Sequence, residues 1–296
     1  MYELSVKHDP YLNIYVDSYV LTTSGHCVFI DSGLYGQHAF VAEKMRGRQT
    51  ILLSTHGHWD HIGMHKTIQE MGGIVRANPG DKAYFEDHQW HWQALFGQFV
   101  HDMDVPAARK AVFQERVGSP VKPQYDVLDG DVIRVGDMEF EVIGIPGHSL
   151  GSVCYLEKQS GALFTGDGLI GKGFFSGTPQ YMHVNKYLSS MERLKKIACE
   201  MVYSDHDPPL RGSRLAAKAQ EGIDCCMRID QVIRDYVKAH ETEPDLSLRD
   251  MNQAIRDREK RGTGAGTLVT ILAHLEKIEH PPLCVQHCLS RYIHGI

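Results

Sequence analysis

Three histidines and one aspartate lie within six consecutive positions of this sequence, at His56, His58, Asp60 and His61. Imidazole nitrogens and carboxylate oxygens are ligands that Zn²⁺ and similar cations prefer. In an extended loop, side chains two positions apart point the same way, so His56 and His58 can converge on one metal. If Asp60 and His61 begin the next helix, they can contact a second metal. The segment therefore predicts a metal site.

Three further candidates follow strand-like segments later in the chain. His148 lies in a Pro-Gly turn, Asp167 follows an apolar run, and His206 follows residues 201–203. Glycine and proline mark turns, and loops at strand ends are where protein scaffolds carry functional residues. A single loop histidine is ordinarily a surface residue, but together with the first cluster these residues favour one shared metal centre.

These motifs resemble those of the metallo-β-lactamase superfamily, whose HxHxDH pattern matches the first cluster. The resemblance covers residues 12–212, and it is specific for fold and metal site but not for substrate. The residues that match the family motifs are Asp31, His56, His58, Asp60, His61, His148, Asp167 and His206.

The resemblance implies a centre with two metals. One metal would be bound by His56, His58 and His148, the second by Asp60, His61 and His206, and Asp167 would bridge the two. Two Zn²⁺ per chain are expected, although iron or manganese accept the same ligands. Two cations about 3.5–4 Å apart lower the pKa of a shared water, and the resulting hydroxide would attack an acyl carbon. Asp60 is the expected catalytic residue, because it can hold that water and transfer its proton to the leaving group.

Four more residues are candidates for positioning a ligand or contacting the substrate. Asp31 ends a strand, and it either orients a metal ligand or serves only as a turn residue. Lys172 either meets an anionic substrate group or stays solvated. Tyr181 and His183 precede a predicted helix and are expected to line the site, with ordinary loop packing as the alternative for His183. His183 is also a candidate for stabilising an oxyanion.

Two features depart from the family pattern. Asp205 precedes the last histidine, where the superfamily usually has glycine, and this change is expected to alter the surroundings of the second metal. The stretch between His61 and His148 is longer than in compact members such as glyoxalase II, which indicates an insertion. Residues 80–125 within it carry two tryptophans and three histidines, and they predict a helical lid, with a hairpin packed on the core or a dimer contact as alternatives.

The elements that must position these residues can be predicted from periodicity and turn signals. Strand-like segments lie over residues 2–8, 12–22, 25–30, 50–54, 74–77 and within 125–165. Helical patterns lie over residues 36–45, 60–71, 184–200, 213–240, 247–260 and 266–278. The resemblance implies an α/β fold, a four-layer αβ/βα sandwich with the metals at the shared edge. Residues 1–212 form the predicted catalytic domain, and residues 213–296 form a predicted C-terminal helical module.

Composition sets outer limits on location and partners. The chain of 296 residues is 42% hydrophobic and 23% charged, which is typical of a soluble globular protein. Its net charge of −6 gives no reason to expect a nucleic-acid partner, and no apolar run approaches the roughly 18–20 residues that cross a membrane. Seven cysteines and no signal-peptide pattern favour the cytoplasm. The expected partner is a small-molecule substrate, and a homodimer is one hypothesis for the assembly.

The leading hypothesis is a binuclear metal-dependent hydrolase acting on a lactone, thioester, ester or amide. A phosphodiesterase is a lesser alternative. A persulfide dioxygenase with one iron, bound by His56, His148 and Asp167, keeps the fold but changes the reaction class. A non-enzymatic effector that binds a ligand at the same site is the last alternative, and the complete set of ligands argues against it.

Overall fold

Two stacked β-sheets form the centre of the molecule in the computed structural model, which describes residues 1–11, 14–102, 107–169, 178–260 and 265–292. The first sheet has the strand order β1-β2-β3-β4-β5, and the second has the order β11-β10-β9-β8-β7-β6. The strands of the first sheet are β1 (Glu3–Tyr11), β2 (Ile14–Thr22), β3 (His26–Ile30), β4 (Gln49–Leu53) and β5 (Ile74–Arg76). Those of the second are β6 (Val132–Val135), β7 (Met138–Gly144), β8 (Val153–Glu157), β9 (Ala162–Gly166), β10 (Met201–Ser204) and β11 (Leu210–Arg211).

The strand directions bring the candidate residues to one edge. Strands β3, β4 and β5 run parallel, and so do β9 and β10 in the other sheet. Because the carboxyl ends of parallel strands meet at the same edge of a sheet, the residues that follow them lie close together. Asp31, the loop after Leu53, Asp167 and His206 all follow such strand ends.

Apolar side chains from both sheets fill the space between them. Tyr19, Val28 and Leu53 of the first sheet belong to the same buried cluster as Phe140 and Tyr155 of the second. Because both faces of β3 and β4 are covered, these strands carry apolar residues at consecutive positions. This cluster is the core that holds the two sheets together.

Helices cover the outer face of each sheet. Helices α1 (His38–Met45) and α2 (His65–Glu70) pack on the first sheet through Val41 and Ile68. The helix that contains Tyr187 and Leu194 packs on the outer face of the second sheet through these two side chains. The layers are therefore helix, sheet, sheet and helix, and the predicted αβ/βα sandwich is confirmed.

The remaining helices form two groups. The insertion holds α3 (Lys82–Glu86), α4 (His88–Leu95) and α5 (Ala107–Arg116). After it come α6 (Val184–Leu194), α7 (Leu215–Ala239), α8 (Leu248–Glu259), α9 (Ala265–Glu276) and α10 (Leu283–Leu289), of which α10 was not predicted. Trp92 and Phe99 of the insertion share a buried cluster with Ile233 and Leu268 of the C-terminal helices. The insertion thus packs against the C-terminal helical region. Among the described helices, none is long and apolar enough to cross a membrane.

The predicted helix over residues 60–71 is wrong at its start, since α2 begins at His65. The backbone before it forms turns, in which His61 N–H donates to His58 O at 3.0 Å and Gly63 N–H donates to Gly33 O at 2.8 Å. A Cβ atom at Gly63 would lie 2.2 Å from the backbone nitrogen of Tyr35, so this close approach requires glycine. The metal-binding candidates therefore stand in a loop tied to the end of β3, and not on a helix.

Candidate metal centre

Six of the predicted ligands fall into two groups of three at the shared edge of the sheets. In each group, one ligand atom per residue lies within 4.8 Å of the others. The groups are His56, His58 and His148, and Asp60, His61 and His206. All six side chains are buried, although Asp60 retains 8% exposure. The structure thus brings together residues from three loops that are far apart in sequence.

Asp167 lies between the two groups. Its Oδ2 atom is 3.6 Å from Nε2 of His148 and 3.5 Å from Nε2 of His61. Its Oδ1 atom is 3.4 Å from Nε2 of His206. One carboxylate therefore reaches both groups of histidines, as a residue that bridges two cations must.

The outer ring nitrogens of the histidines are held by oxygen atoms. Nδ1 of His148 donates to Gln180 O at 2.8 Å, and Nδ1 of His206 donates to Tyr15 O at 2.7 Å. A carbonyl oxygen can only accept, so the proton of each ring lies on Nδ1 and the lone pair on Nε2 points away from the partner. This tautomer is the one that metal-binding histidines adopt.

The inner atoms of the site fit a cation. Among the described residues, Nε2 of His56, Nε2 of His61 and Oδ1 of Asp167 are buried without a hydrogen-bond partner. Buried polar atoms without a partner are rare in folded proteins because each costs free energy. Nδ1 of His58 lies 2.8 Å from Nε2 of His148, so these two rings also present nitrogens to one point. Nitrogen and oxygen donors without any sulfur suit zinc, iron or manganese.

The charges of the site are also those of a cation site. Burial and the neighbouring histidine rings hold the pKa of His56 well below its usual range, so this ring is neutral. Burial would raise the pKa of Asp167, but the charges of His206 and His61 outweigh it and hold the pKa well below its usual range. The carboxylate of Asp167 raises the pKa of His206 to about 10 against the effect of burial. The ring of His56 is therefore neutral, whereas the ionised carboxylate of Asp167 attracts positive charge, which the ring of His206 supplies.

Asp31 lies on the outer side of the cluster, next to the ring of His61. It has a φ of 55°, a left-handed backbone conformation that is uncommon for a residue other than glycine. Its carboxylate accepts from Thr55 N at 2.8 Å and from Thr55 Oγ1 at 2.5 Å, and it lies 3.3 Å from Nδ1 of His61. Asp31, His56 and His61 also lie within 4.8 Å through one atom each. The oxygens of Asp31 thus contact Thr55 and the outer side of His61, and its role in orienting a metal ligand stays a prediction.

The side chain of Asp205 is the second acidic group that contacts the ring of His61. Its Oδ2 atom lies 2.9 Å from Nδ1 of His61, and its side chain is fully buried. Burial raises the pKa of Asp205 well above its usual range. The residue that replaces the usual glycine is thus a direct partner of a predicted ligand of the second metal, which supports the expectation from sequence. An acidic partner of this kind fixes the orientation of the ring.

Asp81 was missed by the sequence analysis, although it joins two of the ligand-bearing loops. Its carboxylate accepts from Gly57 N at 2.8 Å, from Ser149 Oγ at 2.7 Å and from Gly151 N at 2.7 Å. Gly57 lies between His56 and His58, and the other two residues flank the turn after His148. A single aspartate in the turn after β5 carries no spacing signal that would reveal this role.

His91 of helix α4 is the second residue that sequence reasoning did not assign to the site. Its ring centre lies 6.3 Å from that of His58, and its Nδ1 atom donates to Tyr84 O at 3.1 Å. Its Nε2 atom is buried and has no partner among the described residues. The insertion therefore brings a hydrogen-bond acceptor beside one of the predicted ligands.

Two of the remaining predicted substrate residues lie in described parts of the chain. Tyr181 is fully buried, and its hydroxyl lies 2.8 Å from Nε2 of His274 on α9, so its contact with a substrate stays a prediction. His183 is partly buried at the start of α6, where its backbone N–H donates to Gly147 O at 3.2 Å. Its predicted role as an oxyanion-stabilising group stays a prediction. Lys172 lies outside the described residues.

Comparisons with known proteins identify the family and agree with the fold. A family model described as "Metallo-beta-lactamase superfamily" matches residues 13–206. A metallo-beta-lactamase family protein from Thermus thermophilus has a similar fold, with a TM-score of 0.72 at 19% identity, over 92% of each chain.

Two curated relatives are similar over about half of the chain. The acyl-coenzyme A thioesterase MBLAC2 of Homo sapiens is 31% identical over 151 residues, which is 50% of this chain and 50% of that protein. A hydroxyacylglutathione hydrolase of Maricaulis maris is 29% identical over 160 residues, 53% of this chain and 49% of that protein. The chain thus spans about half the length of these curated relatives.

Proposed function

The chain belongs to the metallo-β-lactamase superfamily, and from that premise we propose that it is a binuclear metal-dependent hydrolase of small acyl substrates, with thioesters as the first class to test. The observation that carries this proposal is that Asp167 lies within 3.6 Å of His148 in one group and of His61 and His206 in the other. The names of the two curated relatives support a thioester over a lactone, ester or amide.

In this proposal each of the two groups of three residues would hold one cation, and the carboxylate of Asp167 lies between the two groups. When bound, two such cations lower the pKa of a shared water and stabilise the negative charge that develops on the carbonyl oxygen of an acyl substrate. Zinc is the cation we expect, with iron and manganese as alternatives for the same donors.

Asp60 is the proposed catalytic residue. Its two oxygens lie 3.7 Å from Nε2 of His61 and 3.4 Å from Nε2 of His206, and it keeps some exposure in an otherwise buried cluster. The charges of His61 and His206 outweigh burial and lower the pKa of Asp60 below its usual range, so the carboxylate is ionised and can accept a hydrogen bond from a water molecule. It is therefore suited to hold the attacking water and transfer its proton to the leaving group.

The insertion shields the site. The ring centre of Tyr84 lies 5.1 Å from that of His58, and His91 lies beside both. A site that excludes water strengthens every electrostatic interaction inside it. We propose a small-molecule substrate for this closed site, and the negative net charge supports no nucleic-acid partner.

The proposal is tested by measuring hydrolysis of a panel that contains an acyl thioester, a lactone, an ester, an amide and a phosphodiester, with and without prior removal of metal. We expect the thioester to have the highest kcat/KM, and metal removal to lower that value by more than about 1,000-fold, because the cations supply several kcal/mol of transition-state stabilisation. Oxygen uptake with a persulfide substrate, and no hydrolysis, would favour the dioxygenase hypothesis. Thioester hydrolysis that survives complete metal removal would contradict the proposal.

A further inference from the structure

The C-terminal helix α9 is hydrogen-bonded to the backbone segment that precedes α6. The hydroxyl of Thr270 donates to Pro179 O at 3.0 Å and accepts from Tyr181 N at 3.2 Å. Thr270 is fully buried, so neither bond is exposed to exchange with bulk water. The one hydroxyl therefore binds the backbone on both sides of Gln180.

The bond to Tyr181 N fixes the direction of the carbonyl of Gln180. The N–H of Tyr181 and the C=O of Gln180 belong to one peptide plane, and in a trans peptide they point in opposite directions. No cis peptide bond is present among the described residues. With its N–H directed to Thr270, this peptide directs its C=O to the other side, where it accepts from Nδ1 of His148 at 2.8 Å.

A second set of contacts fixes the side chain of Tyr181, the residue after Gln180. The hydroxyl of Tyr181 lies 2.8 Å from Nε2 of His274, and Nδ1 of His274 lies 2.9 Å from Oδ1 of Asp230. Because Nδ1–H of His274 donates a hydrogen bond to the carboxylate of Asp230, Nε2 of His274 accepts one from the hydroxyl of Tyr181. The ring of Tyr181 also stacks on Tyr187 with their centres 4.4 Å apart. Helices α6, α7 and α9 thus all fix the residue after Gln180.

We propose, on the basis of the function proposed above, that α9 is a positioning element for the metal ligand His148, with Thr270 as the residue that directs the Gln180 carbonyl. The carbonyl selects the tautomer of His148 and fixes its ring, and such partners of a ligating histidine affect metal affinity by about 10–100-fold. The C-terminal helices would therefore affect one of the two cation sites, the one with His56, His58 and His148, and leave the other unchanged.

The experiment compares the full-length wild type with Thr270→Val, Thr270→Ser and the control Thr267→Val. Valine has the shape of threonine without its hydroxyl, and serine keeps the hydroxyl. Thr267 lies on the same helix and its hydroxyl is 2.7 Å from that of Thr178, so its replacement removes a bond of the same interface without touching the peptide of Gln180. The two zinc dissociation constants of each protein are measured by competition with a chromophoric chelator, and His148→Ala identifies the site that contains His148.

We expect Thr270→Val to weaken zinc binding at the His148 site by at least about 10-fold and to leave the zinc affinity of the other site close to that of the wild type. In Thr270→Ser and Thr267→Val, the zinc affinities of both sites should stay close to those of the wild type. Thermal unfolding of the metal-free proteins measures the loss of stability separately. Equal zinc affinities in all four proteins, or equal weakening of both sites by both valine variants, would overturn the role of α9. A wild type that binds no zinc, iron or manganese would instead contradict the proposed function, and the inference with it.

Discussion

Asp167→Asn is expected to lower kcat/KM for the best substrate by more than about 1,000-fold and to reduce bound metal from about two to one or fewer per chain. Asparagine has nearly the same shape, but it lacks the negative charge and replaces one acceptor oxygen with an N–H donor. The carboxylate it replaces lies within 3.6 Å of His61, His148 and His206, so both groups of ligands lose a partner at once. Metal content by elemental mass spectrometry and steady-state kinetics on the same preparations measure the two effects.

The matched control for this change is Asp129→Asn. Asp129 is an aspartate near the surface that binds Arg193 at 2.8 Å, away from the metal candidates. We expect its metal content and its kcat/KM to stay within about 2-fold of the wild type, because an exposed ion pair contributes little. An Asp167→Asn protein that retained two metals and wild-type kinetics would show that Asp167 does not bridge the groups.

Asp81→Ala is expected to lower the free energy of unfolding by at least about 3 kcal/mol, because three buried donors lose their acceptor at a cost of about 1 kcal/mol or more each. The three donors are the backbone N–H groups of Gly57 and Gly151 and the hydroxyl of Ser149. The change also releases two loops that carry predicted metal ligands. Urea unfolding of the metal-free protein measures the stability term without a contribution from metal binding.

Asp131→Ala is the control for this prediction. Asp131 lies in the turn before β6 and accepts a hydrogen bond from Leu128 N at 2.9 Å in an exposed environment. Its replacement should cost less than about 1 kcal/mol, because water can satisfy the freed donor. If both alanine variants unfold at the same urea concentration, Asp81 does not join the loops in the way its contacts indicate.

The ligand set could be predicted from sequence because its spacing is local or follows strand ends. His56, His58 and His61 stand within one short segment, and a loop after a strand places them at a sheet edge whatever the details of packing. The start of helix α2 could not be predicted in the same way. Apolar residues at Ile62 and Met64 fit a helical period, but both are buried by a loop that is hydrogen-bonded to the end of β3.

The positioning residues were harder to predict because their partners are distant in sequence. Asp205 and His61 are 144 positions apart, and Thr270 lies 89 positions from Tyr181. A polar residue in a turn or on a helix gives no signal of such a partner until the chain is folded. The unusual residue before His206 did mark an altered environment, but only the structure identified the ring of His61 as its partner.

The most direct test of the central claim is a zinc titration of metal-free protein in which thioester hydrolysis and bound metal are followed together. We expect activity to rise mainly with the second equivalent and to level off at about two zinc ions per chain, because the proposed chemistry needs both cations at once. Full activity at one metal per chain, or in protein shown to be metal-free, would contradict a binuclear hydrolase.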